Sequence, residues 1–336
     1  MRAMVLHELV SLDECDAPLV LEKLPKPAPR GGQVLVEVAC CGVCHTELDE
    51  IEGRTPPAKL PMVLGHQVVG RVVEQGTGAT KHPIGQRVGI GWIHSSNGRK
   101  DENLASEFHA TGRDAPGGYA EYLTVPEDYA YPIPEVFTDA QAAPLLCAGG
   151  VGYRSLRLCK LVDGQRLGLT GFGASAHLVL QIARHLYPRS GIYVFARSAE
   201  QRAFAKQLGA CWAGDTTDCA PQLLDAVIDT TPAWRPVVEA LGNLRPGGRL
   251  IVNAIRKEAG DQQALLDLDY TQHLWMEKEI KSVANVTHHD LAEFLPMAAD
   301  VPLKPTVECL PLELANEALL RVKRGGGRGA QVLMVK

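Results

Sequence analysis

A short apolar strand that runs into Gly171-Phe172-Gly173-Ala174-Ser175-Ala176 and out into an apolar helix most narrows what this chain can become. Gly171-x-Gly173-x-x-Ala176 is weak as a bare pattern. Its context makes it informative, because Arg166–Thr170 reads as the strand before it and His177–Leu186 as the helix after it. Glycines there let backbone approach a pyrophosphate, and the helix N-terminus favours its charge. The texture continues with a strand at Ile192–Phe195, a helix at Ala199–Leu208, and strands at Ala226–Asp229 and Arg249–Asn253. Continuous apolar strands with helices between them imply a parallel sheet covered on both faces. The expected fold of this part is an α/β doubly wound sheet of the Rossmann type.

The chain before Cys147 has a different texture, dense in Gly and Pro. Gln33–Ala39 alternates with period two after Gly31-Gly32, and Val68–Val73 and Gln86–Ile90 read as further short strands. A β-rich, barrel-like domain follows. After Ile280–Ala284 the chain reads as returning to it, through a helix at Leu310–Leu319, with Pro311 near its start, and a closing strand at Gln331–Val335. Gly325–Gly329 reads as a flexible turn. A length of 336 residues suits two domains, here 1–147 with 284–336, and 148–283.

Charge and composition exclude several classes. A net charge of −5 without a basic cluster argues against nucleic acid as a partner. No apolar stretch is long enough to cross a bilayer, so no membrane role is expected. Met1–Leu6 carries no export signal, and nine cysteines then suit a reducing cytoplasm better than a disulfide framework.

Three residues point to chemistry: Cys44, His66 and Cys147. Two thiolates, one imidazole and an open fourth position describe a catalytic zinc site, whereas a structural zinc takes all four ligands from protein. Gly65 and Gly70 bracket His66, as where backbone crowds or turns sharply. The competing reading is a strand-turn-strand with a hydrogen-bonded histidine. The other seven cysteines read as small core or surface residues.

Cys44-His45-Thr46, Gly65-His66-Gln67-x-x-Gly70, Gly117-Gly118-Tyr119-Ala120-Glu121-Tyr122, Cys147-Ala148-Gly149 and the turn at Gly171 occur together and in order. On these motifs the chain resembles zinc-dependent alcohol dehydrogenases of the medium-chain dehydrogenase/reductase family over nearly its full length. The resemblance implies a chaperonin-10-like catalytic domain beside the Rossmann domain, a small alcohol or aldehyde as substrate, a nicotinamide dinucleotide as cofactor, and a homodimer or homotetramer. It makes Cys44, His66 and Cys147 ligands of one Zn²⁺ per chain. Thr46 takes the first proton, His45 touches the cofactor pyrophosphate, and Trp92 lines and narrows the alcohol pocket.

Three departures stand out. Asp49 occupies the position where the family often carries a histidine at the end of the proton relay. Gln67 replaces a glutamate behind the metal; with two thiolates already neutralising Zn²⁺, a neutral side chain leaves its pull on the alcohol stronger, and Glu47 is a candidate carboxylate partner for His66. Relatives also hold a structural zinc on four cysteines, but Trp92–Ala105 contains none. His94 and His109 with Asp101 do not make such a site, so an ordinary polar loop is expected.

The second Rossmann strand ends in Ala196, twenty-five residues after Gly171, where NAD enzymes carry an acidic residue. Arg197 and Ser198 follow, and a guanidinium can grip a 2′-phosphate, so NADP is expected over NAD. Two rival readings remain: a metal-free quinone or enoyl reductase of the same superfamily, against which the intact Cys44, His66 and Cys147 argue, and a catalytically dead nucleotide-sensing homologue, which Gln67 and Asp49 keep open.

Overall fold

The computed structural model describes residues 1–325 and 329–336, so the middle of the expected turn at Gly325–Gly329 lies outside the described residues. The chain divides into two compact units: Met1–Gly150 with Val286–Ala299 and Lys304–Lys336, and Val151–Asn285 with Asp300–Leu303.

The spine of the first unit is the strand Gln33–Val43. It pairs antiparallel with Gln67–Gln75, Tyr122–Pro126 and Ala330–Met334. Arg87–Ile90 and Ala130–Pro132 extend the sheet beyond Gln67–Gln75, and Val307–Pro311 extends it beyond Ala330–Met334. Val34, Val36, Val38, Val68, Val72, Val88, Ile90, Leu123 and Val125 fill one core. Each such burial is worth about 1.5–3 kcal/mol, so a one-residue slip of register would be costly. A small sheet sets Arg2–Leu6 between Leu19–Lys23 and Met62–Val63, the last leading into Gly65-His66.

In the second unit six parallel strands run in the order Trp212–Gly214, Gly191–Phe195, Arg166–Thr170, Leu224–Asp229, Leu244–Val252, Glu279–Ser282. The order reverses beside Arg166–Thr170, which is the switch point where ligands of doubly wound sheets sit. Leu167, Leu169, Val194, Val227, Ile228, Leu250 and Ile251 are buried, as strands covered on both faces must be.

Three elements differ from the sequence expectation. The helix expected over Leu310–Leu319 is instead the end of the strand Val307–Pro311, a 3₁₀ turn at Leu312–Leu314 and a helix at Ala315–Arg324. Leu310 precedes a proline and so favours extended backbone, which pairs with Leu333. An unexpected helix, Ala148–Cys159, follows Cys147 despite Gly149, Gly150 and Gly152. Its glycines are packing residues: a Cβ on Gly149 would lie 2.9 Å from the Phe294 ring, and one on Gly150 2.7 Å from Leu291.

The loop after Trp92 is more than a polar segment. It folds a 3₁₀ turn, Glu102–Leu104, whose Glu102 is fully buried. Glu102 Oε1 accepts from the backbone N–H of His288 at 2.5 Å and lies 2.8 Å from its Nδ1, while Oε2 accepts from the Tyr129 hydroxyl at 2.9 Å. Burial and this carboxylate push the Tyr129 phenol up to about 12. Replacing Glu102 with Ala strips a partner from the buried Tyr129 hydroxyl, at about 1–3 kcal/mol, and another from the half-buried His288 N–H. The urea midpoint of Glu102→Ala should therefore fall clearly, and an unchanged midpoint would show that the loop is held elsewhere.

Candidate functional site

The sharpest side-chain cluster lies in the first unit. Ligand-capable atoms of Cys44, His66 and Cys147 all lie within 4.8 Å of one another. No other group of three or more His, Cys, Asp or Glu side chains among the described residues meets so closely. Each member comes from a different element. Cys44 follows the spine strand and caps the helix His45–Ile51, accepting from Thr46 N–H at 3.5 Å. His66 follows the short strand Met62–Val63, and Cys147 ends the 3₁₀ turn Ala143–Leu146.

Glu47 binds two of these pieces together. It is the third residue of a capping box, so its Oε2 accepts from Cys44 N–H at 2.8 Å. Its Oε1 lies 2.6 Å from His66 Nδ1, with both side chains fully buried. That contact leaves Nε2 as the nitrogen open to a ligand role; it is buried and meets no strict hydrogen-bond partner among the described residues, with the Cys44 thiol as its neighbour. A hydrogen bond from Cys147 holds the Cys44 thiol well below its ordinary pKa against the cost of burial. A poised thiol beside an orphaned imidazole nitrogen and a second sulfur is a soft S, N, S donor set, which suits zinc.

The glycines around His66 have a common cause. Gly65 has φ +96°, and a Cβ there would lie 2.5 Å from the Tyr119 ring. Gly117 runs against the same backbone, with a Cβ that would sit 2.2 Å from the Gly65 carbonyl oxygen. Gly118 N–H donates to that carbonyl at 2.8 Å. The Gly-Gly-Tyr-Ala motif is thus the clamp that fixes the histidine's strand.

Thr46 is buried, with its Oγ1 3.5 Å from Cys44 Sγ, in the first turn of the helix that Cys44 caps. Asp49 is buried and tied to Arg54, whose Nε donates to Oδ1 at 2.6 Å. His45 is exposed on the first turn of the helix. Gln67 is buried, and its amide packs on Gly42, where a Cβ would meet Oε1 at 2.7 Å. The Trp92 ring is 5.8 Å from that of His66 and 6.0 Å from that of Phe108. Arg54, Phe108 and Arg113, which reaches over both rings, had no sequence signal beyond lying near the motifs. Burial pushes the carboxyl of Glu50, a neighbour on the same helix, well up, with Glu47 adding to the effect.

The second unit holds the glycine turn. Gly171 has φ +76° and abuts Thr230 and Thr231. Gly173 faces open space and begins the helix Ala174–Leu186 with no side-chain cap, while Ala176 is fully buried beneath it. An uncapped N-terminus with an open approach suits an anion. Behind it Asp229 is fully buried; it accepts from Thr170 Oγ1 at 2.6 Å and pairs with Lys257, whose Nζ also donates to the Thr231 and Ala233 carbonyls. Ala196 is buried at its strand end, and Arg197 and Ser198 are exposed. Ser198 caps the helix Ala199–Gln207. A second guanidinium, Arg202, folds back onto the carbonyls of Ala196 and Arg197 at 2.6 and 2.8 Å.

Residues 30–135 match the family described as the alcohol dehydrogenase GroES-like domain. A Mycobacterium tuberculosis (strain CDC 1551 / Oshkosh) protein named "Probable alcohol dehydrogenase AdhA" is 41% identical over 327 residues, covering 94% of this chain and 92% of that protein. Two solved structures share the fold. One, described as an NAD-dependent alcohol dehydrogenase, has 23% identity, 100% coverage of both chains and a TM-score of 0.88. The other, CAD from Helicobacter pylori complexed with NADP(H), has 21% identity, 99% coverage of both chains and a TM-score of 0.83. The identity to the mycobacterial relative, sustained over almost the whole length, makes this chain a member of the alcohol dehydrogenases of the medium-chain dehydrogenase/reductase family.

Proposed function

We propose that this protein is a zinc-dependent alcohol dehydrogenase or aldehyde reductase that moves hydride between a small alcohol and a nicotinamide dinucleotide. The observation that carries the reading is the convergence of the buried His66 imidazole with the sulfurs of Cys44 and Cys147, ligand atoms all within 4.8 Å. Cys44, His66 and Cys147 would hold the ion, with Glu47 fixing the imidazole. When bound, zinc supplies a Lewis acid that lowers the pKa of an alcohol hydroxyl, and the nicotinamide supplies the carrier for hydride.

The chain's own residues do the rest. Thr46 Oγ1, 3.5 Å from the Cys44 sulfur, would accept the hydroxyl proton while passing its own on to solvent. Trp92 and Phe108 form an apolar wall that orients the substrate carbon and excludes water. The uncapped turn at Gly173 offers backbone donors for a pyrophosphate. The complete ligand set argues against the metal-free reductase reading.

The metal test comes first. Elemental analysis should return about one zinc per chain, together with nicotinamide absorbance changes on ethanol, benzyl alcohol or aldehydes. Cys147→Ser should abolish activity while leaving the far-ultraviolet circular dichroism unchanged. Two tightly held zincs, or full activity without metal, would sink the reading.

Proton transfer gives a second test. Thr46→Val should lower kcat by about a hundredfold or more, as loss of a general acid-base group does. Asp49→Asn should cost less activity and more stability, because Asp49 is locked to Arg54. Equal, large losses of kcat would make Asp49 an obligatory link.

Cofactor choice is the third. Ala196 leaves no carboxylate at the strand end, and the exposed Arg197 is available to a 2′-phosphate, so we assign NADP as preferred. Arg197→Ala should raise the KM for NADP far more than for NAD, and Ala196→Asp should reverse the preference. A wild-type kcat/KM clearly higher with NAD would overturn this.

A further inference from the structure

Arg113 occupies a singular place in the first unit. It lies on the tight turn between Ala110 and Ala115, where Ala110 N–H donates to Asp114 Oδ2 at 2.7 Å and Asp114 N–H returns to the Ala110 carbonyl at 2.9 Å. Gly112, at the tip, has φ +86° and packs against the backbone of Gly65, next to His66. The turn therefore holds Arg113 in fixed relation to the candidate metal site. Its guanidinium carbon sits 5.8 Å from the Trp92 ring and 5.9 Å from the Phe108 ring, and Trp92 in turn stands 5.8 Å from His66.

Two hydrogen-bond donors on these adjacent side chains lack acceptors among the described residues. Asp114 engages Arg113 through Nε and Nη2, the latter at 2.7 Å, and leaves Nη1 without a bond among the described residues. The indole Nε1 of Trp92 is buried and also without a partner, in a side chain only 9% exposed. A buried donor left unpaired costs free energy that a ligand acceptor recovers. An alcohol pocket for purely apolar substrates needs neither donor. A guanidinium partly shielded from water beside two aromatic rings, as here, binds a carboxylate more strongly than an exposed one does.

We propose that Arg113, with Trp92 Nε1, selects substrates whose reacting alcohol or aldehyde carbon is separated by a short chain or ring from a carboxylate. The inference rests on the alcohol dehydrogenase reading above and names its substrate class. The competing account is that Arg113 only braces its turn through Asp114.

Steady-state rates with 4-formylbenzoate and benzaldehyde test it, using NADPH and NADH in turn. Wild type should favour the carboxylate by at least about tenfold in kcat/KM, since a polar site rejects an analogue lacking the matching group. Arg113→Met should bring the two to within about threefold by lowering the 4-formylbenzoate value alone. Arg113→Lys should keep part of the preference, as a point charge without the fork. Trp92→Phe, which keeps an aromatic ring but removes the Nε1 donor, should weaken the preference by lowering the 4-formylbenzoate value more than the benzaldehyde value. Equal wild-type rates, or equal loss on both aldehydes in Arg113→Met, would overturn the proposal. Calorimetric titration with 4-(hydroxymethyl)benzoate against benzyl alcohol needs no turnover. Tighter binding of the carboxylate that vanishes in Arg113→Met supports the inference even if no hydride is transferred, which would count against the enzymatic reading instead. Equal binding of the two alcohols would overturn the inference.

Discussion

One buried carboxylate organises the site. Glu47 reaches back to the backbone of Cys44 with one oxygen and to the ring of His66 with the other. The same side chain thus begins a helix, sets the angle at which the chain leaves the spine strand, and fixes a histidine from another strand. A carboxylate removed from water is costly unless its lone pairs are used. Glu47 meets that condition only while both partners hold their places, so the cost of burial itself enforces the geometry. The glycines at Gly65, Gly117 and Gly118 follow from this constraint, because the strand carrying His66 must lie close enough for the contact.

A parallel arrangement serves the cofactor unit. Asp229 and Lys257 form a buried ion pair at the carboxyl end of the central strands, and Lys257 also ties down the Thr231 and Ala233 carbonyls. Buried pairs are weak evidence for stability but strong constraints on position. This one fixes the loop against which Gly171 packs, so the open approach at Gly173 has a rigid floor.

Much of this was legible in the sequence, for a physical reason. Period-two alternation at Gln33–Ala39 and the strand-turn-helix at Gly171 are local patterns, and local patterns survive folding. Cys44, His66 and Cys147 could be singled out as a cluster because few residue types can ligate a metal, and the fold brings the three within 4.8 Å. Arg54, Arg113, Glu102 and Lys257 could not, because a charged residue gains its meaning from a partner distant in sequence. His288 is the clearest instance, meeting Glu102 across 186 positions. Leu310 misled for a related reason: its helix-like spacing gave way to the strand partner that Ala330–Met334 supplies. The helix Ala148–Cys159 was hidden because its glycines lower local propensity and are there for close packing.

Glu102 carries one more consequence. A lobe held by thiolates around an ion completes its fold only when the ion arrives, and it loosens when the sulfurs are oxidised. Here the same stretch is closed by a carboxylate, a phenol and a histidine that are present from synthesis onward. The closure of this segment therefore draws on groups that pair with one another directly and need no ion to do so.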